Sequence, residues 1–506
     1  MTAMAMAADS TGAAEITRRL AGICGPSFAR FAGAADEVAG RPARWVAVPG
    51  GPRAAAEVLR LAARHDLTVV PRGAGTKIDW GAAPARVDIM LDTGRLAGVG
   101  HQPQGSPVVD VGAGTPLRAV QATLERTGRR LALDPPSPGA TLGGVLAADE
   151  AGPLRHRHGT ACEQLVGLRW LDADGELISA GRGAAELSGG PATVGLDLGR
   201  LLCGSHGGLG VLVSATLRAQ AVPASRVWVS RPVWTPLEVH DLLRVVLGAG
   251  LDPAAVELDL PAAGPRARAV AASAASPTSG SASGSASGSA SGWASGSASG
   301  SASGSASGPA GRPMSAAEAA ARANHPAMAG RRADPSAARE GAGELAILLE
   351  GGPTDVAERA DSLLHLLGGT ATLAHAAPPW WRSYPFAPGD TALRVEVPNT
   401  DLHAAVYALR DAAGTPVPVR GSAGLGVVHA ALPGGLPVDR VASILAAVRG
   451  VLLARRGRCV VVAAPPAVRR AVDVWGEAAV IPRLRAAKDH LDPHRRLAPG
   501  RLPGGL

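Results

Sequence analysis

LTVVPRGAGTKIDWG, residues 67–81, decides the fold. Leu67, Val69 and Val70 read as a buried strand that stops at Pro71. Arg72-Gly73-Ala74-Gly75-Thr76-Lys77 follows as a loop of small residues. Glycine permits positive φ and places no Cβ in the way, so successive backbone N–H groups can converge on one anion. Arg72 or Lys77 would add charge beside it. The loop reads as a diphosphate cradle, although its residues alone also allow an ordinary tight turn.

Two familiar cradles are excluded. A dinucleotide fingerprint needs G-x-G-x-x-G opening a helix, and the third glycine is missing where Ile78 stands. A P-loop needs Gly-Lys-Ser/Thr after its spacer, which Thr76-Lys77-Ile78 does not supply. Two further small-residue loops lie downstream: DPPSPGATLGGV at 134–145 and GSHGGLGV at 204–211, each beside an apolar, strand-like run.

Working outward, residues 45–48 and 53–65 read as a lead-in strand and helix. Residues 86–91, 96–99 and 108–111 read as strands, with a helix over 115–126 that has Thr115 as N-cap and Pro116 at its first position. Residues 165–172 and 176–180 form a hairpin around Ala173-Asp174-Gly175, and 209–217 is a closing strand. Ahead of this unit, 13–21 and 28–38 read as helices. Behind it, alternating strands and helices run from 223 onward, interrupted at 261–341 by a low-complexity stretch centred on repeated Ser-Gly-Ser-Ala. That composition cannot bury enough apolar surface to offset chain entropy, so a flexible insertion is expected there.

The three loops, in this order and at these separations, resemble the PCMH-type FAD-binding domain shared by vanillyl-alcohol oxidase and D-lactate dehydrogenase. Within that family the segments PRGAGTK-DWG, AGTPL, ATLGG (140–144) and GPLRHRHGT (152–160), with LDP…PGR at 491–501, are similar to the second FAD-binding subunit of bacterial glycolate oxidase. The resemblance implies an α+β fold. It has a helical segment at 1–40, an FAD-binding domain of two α+β subdomains at 41–222, a cap of antiparallel sheet with helices at 223–482, and a tail at 483–506 that returns to the FAD domain.

It also implies the cofactor contacts. Pro71, Arg72, Gly73, Ala74, Gly75, Thr76 and Lys77 in the first loop, with Pro136, Gly139, Ala140, Thr141, Gly143 and Gly144 in the second, would hold the FAD pyrophosphate. Gly207, Gly208, Gly210 and Val211 would lie by the adenine or ribose, and Gly159 is a further contact. Some relatives attach the flavin through a histidine at the first loop. Thr76 and Lys77 occupy that stretch, so a non-covalent flavin is expected.

The activity implied is FAD-dependent oxidation of a CH–OH group, as in glycolate or another 2-hydroxy acid. Partners would be a catalytic flavin subunit and an iron–sulfur subunit. The redox chemistry belongs to the cofactor; the protein binds and orients. Departures from the family pattern are Cys162-Glu163 in place of Arg-Asp, Leu196 in place of a tyrosine, and Ala498 in place of an asparagine. They leave two rival readings open: a free-standing flavin oxidase of an alcohol or sugar, or a structural subunit with a decayed flavin site.

No catalytic base is assigned. His429 stands alone in an apolar strand, and His156 and His158 flank Arg157 in a loop that either reaches the flavin or is simply exposed. Trp381 and Arg382 are weak substrate candidates: Arg382 as a carboxylate clamp, or the tryptophans as a plug between cap and flavin domain.

Composition narrows the classes. The 506 residues carry net charge +8, with Lys77 and Lys488 the only lysines. The arginines are scattered and aromatics reach only 3%, so a nucleic-acid footprint is not expected. Cys24, Cys162, Cys203 and Cys459 make no C-x-x-C, which excludes the usual iron–sulfur spacings and points to a reducing cytoplasm. No metal site, secretory signal or apolar run of membrane-spanning length is read, so any membrane association would be peripheral, through partners, at the inner face.

Overall fold

In the computed structural model the apolar run at 67–70 leads into the strand Val69–Arg72, paired in parallel with Ile89–Asp92. Ile89–Asp92 pairs in parallel with Trp45–Ala47, and Ala29–Phe31 closes that four-stranded sheet antiparallel. A parallel step needs a crossover, which the helix Pro52–Arg64 provides. Its buried residues Ala55, Val58, Leu59 and Ala62 recur at helical spacing and face the sheet. The structure describes residues 2–100, 106–181, 193–194, 196–262 and 343–506. The insertion expected at 261–341 lies outside the described residues from 263 onward.

A helix spans Thr2–Cys24, but the second helix expected at 28–38 is absent. A 3₁₀ turn at Pro26–Phe28 runs into the edge strand Ala29–Phe31 instead. Phe31 lies opposite Trp45, while the Asp36 carboxylate accepts the Gly33 N–H at 2.8 Å and closes a turn that a helix would not permit. The strand expected at 96–99 reduces to a single bridge between Val99 and Val111. The helix Leu117–Glu125 starts one residue later than expected, with Pro116 in the N-cap place, and the Thr115 hydroxyl is bonded to the Gly98 backbone instead of capping it.

The second subdomain is a five-stranded sheet in the order Thr193–Val194, Leu177–Gly181, Leu165–Leu171, Val211–Arg218, Val108–Gly112. The predicted hairpin is its 165–181 limb, and Trp170 is fully buried in its core.

The cap is one eight-stranded sheet in the order Thr372–Ala374, Ser225–Val233, Gly343–Gly351, Ala255–Leu260, Val419–Ser422, Val427–Leu432, Thr391–Glu396, Arg458–Ala463. Its pairings are all antiparallel. The helices Pro236–Gly248, Pro353–Leu367, Leu402–Ala413 and Val438–Leu453 cover one face. Alternation along each strand sends Val229, Leu258, Ile347, Val395 and Val428 into that core. The intervening Trp228, Glu257, Glu350, Arg394 and His429 point the other way, toward the flavin-type domain. There Arg130 grips Glu350 through both nitrogens of its fork, Nη1 to Oε1 at 2.8 Å. Burial opposes ionisation of Glu350, but the hydrogen bonds from Arg130, with His158 and Arg226 nearby, hold its carboxyl down at about 2.

The C-terminal segment folds back on the first sheet. Val69 N–H donates to Arg496 O at 2.8 Å and Ala498 N–H to Val69 O at 2.9 Å. No helix among the described residues is long and apolar enough to cross a membrane.

Candidate functional site

The glycine loops meet because they lack side chains at the points of contact. A Cβ on Gly73 would sit 2.3 Å from Thr141 Oγ1, so the first and second loops touch only across a bare Cα. A Cβ on Gly207, whose φ is +77°, would sit 2.9 Å from Pro71 Cδ, which joins the third loop to the first. Between them lies a cleft. Its walls include the whole run from Pro71 to Ile78, then Thr141, Gly143, Gly144, Gly207 and Gly210.

The predicted cofactor residues do not all reach it. Ala140, Gly208 and Val211 are buried behind the wall. Gly139 comes only as near as Thr76 Cγ2, 3.8 Å from its virtual Cβ. Pro136 lines a second cavity, and Gly159 turns the chain beside Glu163. Thr93, Ala113, His206 and Arg501 line the cleft without having been singled out as site residues. Ala113 lies in Gly112-Ala113-Gly114-Thr115, the same four residues as 73–76 of the first loop. Burial, with Arg501 and Lys77 nearby, pushes His206 down to about 3, so its imidazole is neutral.

The backbone donors are distributed unevenly. Gly73, Ala74, Gly75, Thr76 and Lys77 make no hydrogen bond through their N–H groups to another described residue. In the second loop those of Ala140, Leu142 and Gly143 go to Ser137 O, Thr115 O and Ala113 O, and Gly144 N–H goes to Thr141 Oγ1. Donors for an anion therefore stand in the first loop, while the second supplies a wall. Side-chain charge is already matched there: Arg72 pairs with Asp92 at 2.9 Å and Asp36 at 3.2 Å, and Lys77 with Glu150. A cradle of unpartnered amides that a Cβ would fill fits a pyrophosphate held by backbone.

The C-terminal segment braces these loops. Lys488, fully buried, donates to Gly208 O at 2.6 Å, Asp492 Oδ2 at 2.6 Å and Leu497 O at 2.7 Å. Arg501 donates to Ile78 O and Trp80 O at 3.1 and 2.5 Å, and burial lowers it to about 10.

Glu150 links the cleft to the second cavity, between residues 151–155 and the face of the cap sheet opposite its helices. One carboxylate oxygen meets Lys77; the other accepts from Ser137 Oγ at 2.7 Å and from Tyr384 O–H at 2.8 Å. Tyr384 packs edge-on against His429, 4.9 Å between centroids, and both line this cavity. His429 is pushed down to about 3 by burial and the nearby arginines, so it too is neutral.

His156 and His158 face the cap and line neither cavity: His158 Nε2 stands 3.9 Å from Glu350, and His156 packs on Gly424. Trp381 is half-buried, edge-to-face with Trp228 at 6.1 Å, and Arg382 is exposed at the rim of the second cavity. Among the described residues no group of three or more His, Cys, Asp or Glu is placed to hold a metal ion.

A family model described as an FAD binding domain matches residues 43–181. D-2-hydroxyglutarate dehydrogenase of Xanthomonas citri pv. viticola is 31% identical over 183 residues, 35% of this chain and 37% of that protein. The mitochondrial D-lactate dehydrogenase [cytochrome] of Arabidopsis thaliana is 26% identical over 215 residues, 42% of this chain and 36% of that one. Glycolate oxidase subunit GlcE of Escherichia coli is 34% identical over 128 residues, 25% of this chain and 35% of that subunit. The chain thus spans little more than a third of the length of these relatives. Among solved structures, alkyldihydroxyacetonephosphate synthase aligns with 91% of this chain and 78% of its own, at TM-score 0.60 and 14% identity, a likeness of fold.

Proposed function

Since the chain belongs to the PCMH-type FAD-binding family and its cofactor is FAD, we propose that it is an FAD-dependent oxidoreductase acting on the CH–OH group of a small 2-hydroxy acid. The observation that carries this is the meeting of three glycine loops on one cleft, coupled through Glu150 to a separate cavity under the cap. The amides of 73–77 hold the pyrophosphate without a covalent bond. FAD bound there would supply the redox chemistry, removal of hydride from the substrate carbon. The chain's own residues bind and orient: the cap cavity takes the substrate, and its walls exclude water.

Three relatives named for D-lactate, D-2-hydroxyglutarate and glycolate support a 2-hydroxy acid as substrate class. The similarity to GlcE supports the narrower reading of a glycolate oxidase-like subunit that works beside a flavin subunit and an iron–sulfur subunit. It also leaves room for peripheral membrane attachment through those partners.

Anaerobic mixing of the FAD-loaded chain with glycolate, D-lactate or D-2-hydroxyglutarate tests the reading. Bleaching of the oxidised-flavin band by one of these acids is expected. A chain that stays colourless with excess FAD, or whose flavin none of them reduces either alone or with the partner subunits, would overturn it. Bleaching that requires the partners would favour the subunit reading over a free-standing enzyme.

A further inference from the structure

The cap cavity is lined by a guanidinium that makes no ion pair among the described residues. Arg155 begins the short helical turn Arg155–His158 and turns its guanidinium toward the cavity. It makes no ion pair or side-chain hydrogen bond with any described residue, and its Nε is buried without a partner. Arg420, on the opposite wall, is by contrast satisfied by Asp259 at 2.8 Å and Ser383 Oγ at 2.6 Å. An unpaired guanidinium withdrawn from water is unfavourable until an anion joins it. A second unfilled group stands nearby. Glu257, 6% exposed and opposite Ser422 in the sheet, has its Oε1 buried with no hydrogen-bond partner.

Resting on the proposed oxidation of a 2-hydroxy acid, we propose that the substrate carboxylate is bound by Arg155, with the Glu257 carboxyl as the second contact, so that the cavity selects acids over neutral alcohols and sugars. Guanidinium is the donor suited to this, since its planar fork matches a carboxylate with two parallel bonds. Glu257 must then present a proton and not a negative charge. Burial, with the Asp134 carboxyl nearby, pushes it up to about 8, against the pull of Arg155. The other ionisable groups lining the cavity are Arg382, Tyr384, Arg420 and His429, of which His429 is neutral and Arg420 is paired; Asp149, Glu396 and Arg394 also act on Arg155 through space. A neutral carboxyl can donate to a carboxylate oxygen or accept from the substrate hydroxyl.

The test uses 2-hydroxy-2-methylpropanoate, which keeps the carboxylate and hydroxyl but has no hydrogen on the hydroxyl carbon to transfer. Its binding to the FAD-loaded full chain is followed by calorimetry and by perturbation of the flavin spectrum. Arg155→Gln should weaken it about tenfold or more and Arg155→Lys by less, with FAD content and melting temperature unchanged. The primary amide of the same acid should not bind. Glu257→Gln should abolish the weakening that wild type shows as pH rises through about 8.

Wild-type affinity in Arg155→Gln, no binding to the wild-type chain, or equal binding of acid and amide would overturn the proposal. Flavin reduction by a 2-hydroxy acid with unchanged affinity in Arg155→Gln would sink this assignment and leave the proposed function standing. Binding of the probe with no flavin reduction by any hydroxy acid would do the reverse.

Discussion

Lys77, in the first glycine loop, is ion-paired with Glu150, 73 positions on in the chain, where both side chains are almost wholly buried. Burial pulls the ammonium pKa down and the carboxylate pulls it back up. Because the same carboxylate accepts from Ser137 and Tyr384, one side chain ties together the first loop, the second loop and the cap.

Removing one partner of that pair should cost far more than removing both. Glu150→Ala leaves a buried ammonium alone and should destabilise the chain by about 3–5 kcal/mol, read by urea denaturation. The double variant Lys77→Met, Glu150→Leu should lose markedly less than Glu150→Ala. Equal losses would mean that the pair is not a coupled unit.

Gly73→Ala should separate the first and second loops, because its Cβ has nowhere to go but into Thr141 Oγ1. FAD affinity should fall by about tenfold or more, and Thr141→Ala in the same chain should restore part of it. Gly139→Ala is the control: its nearest neighbour is 3.8 Å away and its φ is not positive, so fluorescence titration should show FAD affinity unchanged.

Lys488→Met should loosen the third loop. It deletes three donated hydrogen bonds and leaves Asp492 charged at zero exposure, a loss of about 3–5 kcal/mol in chemical denaturation. Hydrogen exchange should rise around Gly208 and Val69, where the C-terminal segment is anchored.

Stability should carry the signature of Glu257. Its carboxyl titrates near 8 in the folded chain against an ordinary 4.5, so between those values the folded state holds a proton that the unfolded chain has released. The contribution is complete below about 4.5, declines as pH rises and is gone above about 8. Melting temperatures of wild type and Glu257→Gln should therefore diverge in slope across that window, with the variant flatter.

Much of the fold was legible because its signals are local. Strand alternation in Val227-Trp228-Val229 and Leu345-Ala346-Ile347 marks one apolar cap face, and the loop glycines stand at positions where a side chain is excluded. Errors came where a distant residue overrode local preference. Phe31 joins a sheet edge beside Trp45, and Thr115 spends its hydroxyl on Gly98.

The sequence by itself determined that three glycine-rich loops would stand beside strands and that a strand-and-helix cap would follow. Glycine's missing Cβ and the period of apolar residues are written residue by residue. Only the tertiary structure decided which charges remain available. Arg72 and Lys77, the obvious cations of the first loop, are paired with Asp36, Asp92 and Glu150, whereas Arg155 makes no ion pair among the described residues. An ion's availability depends on what lies within a few ångströms through space and on how far water has been excluded, and neither is encoded by its neighbours in the chain.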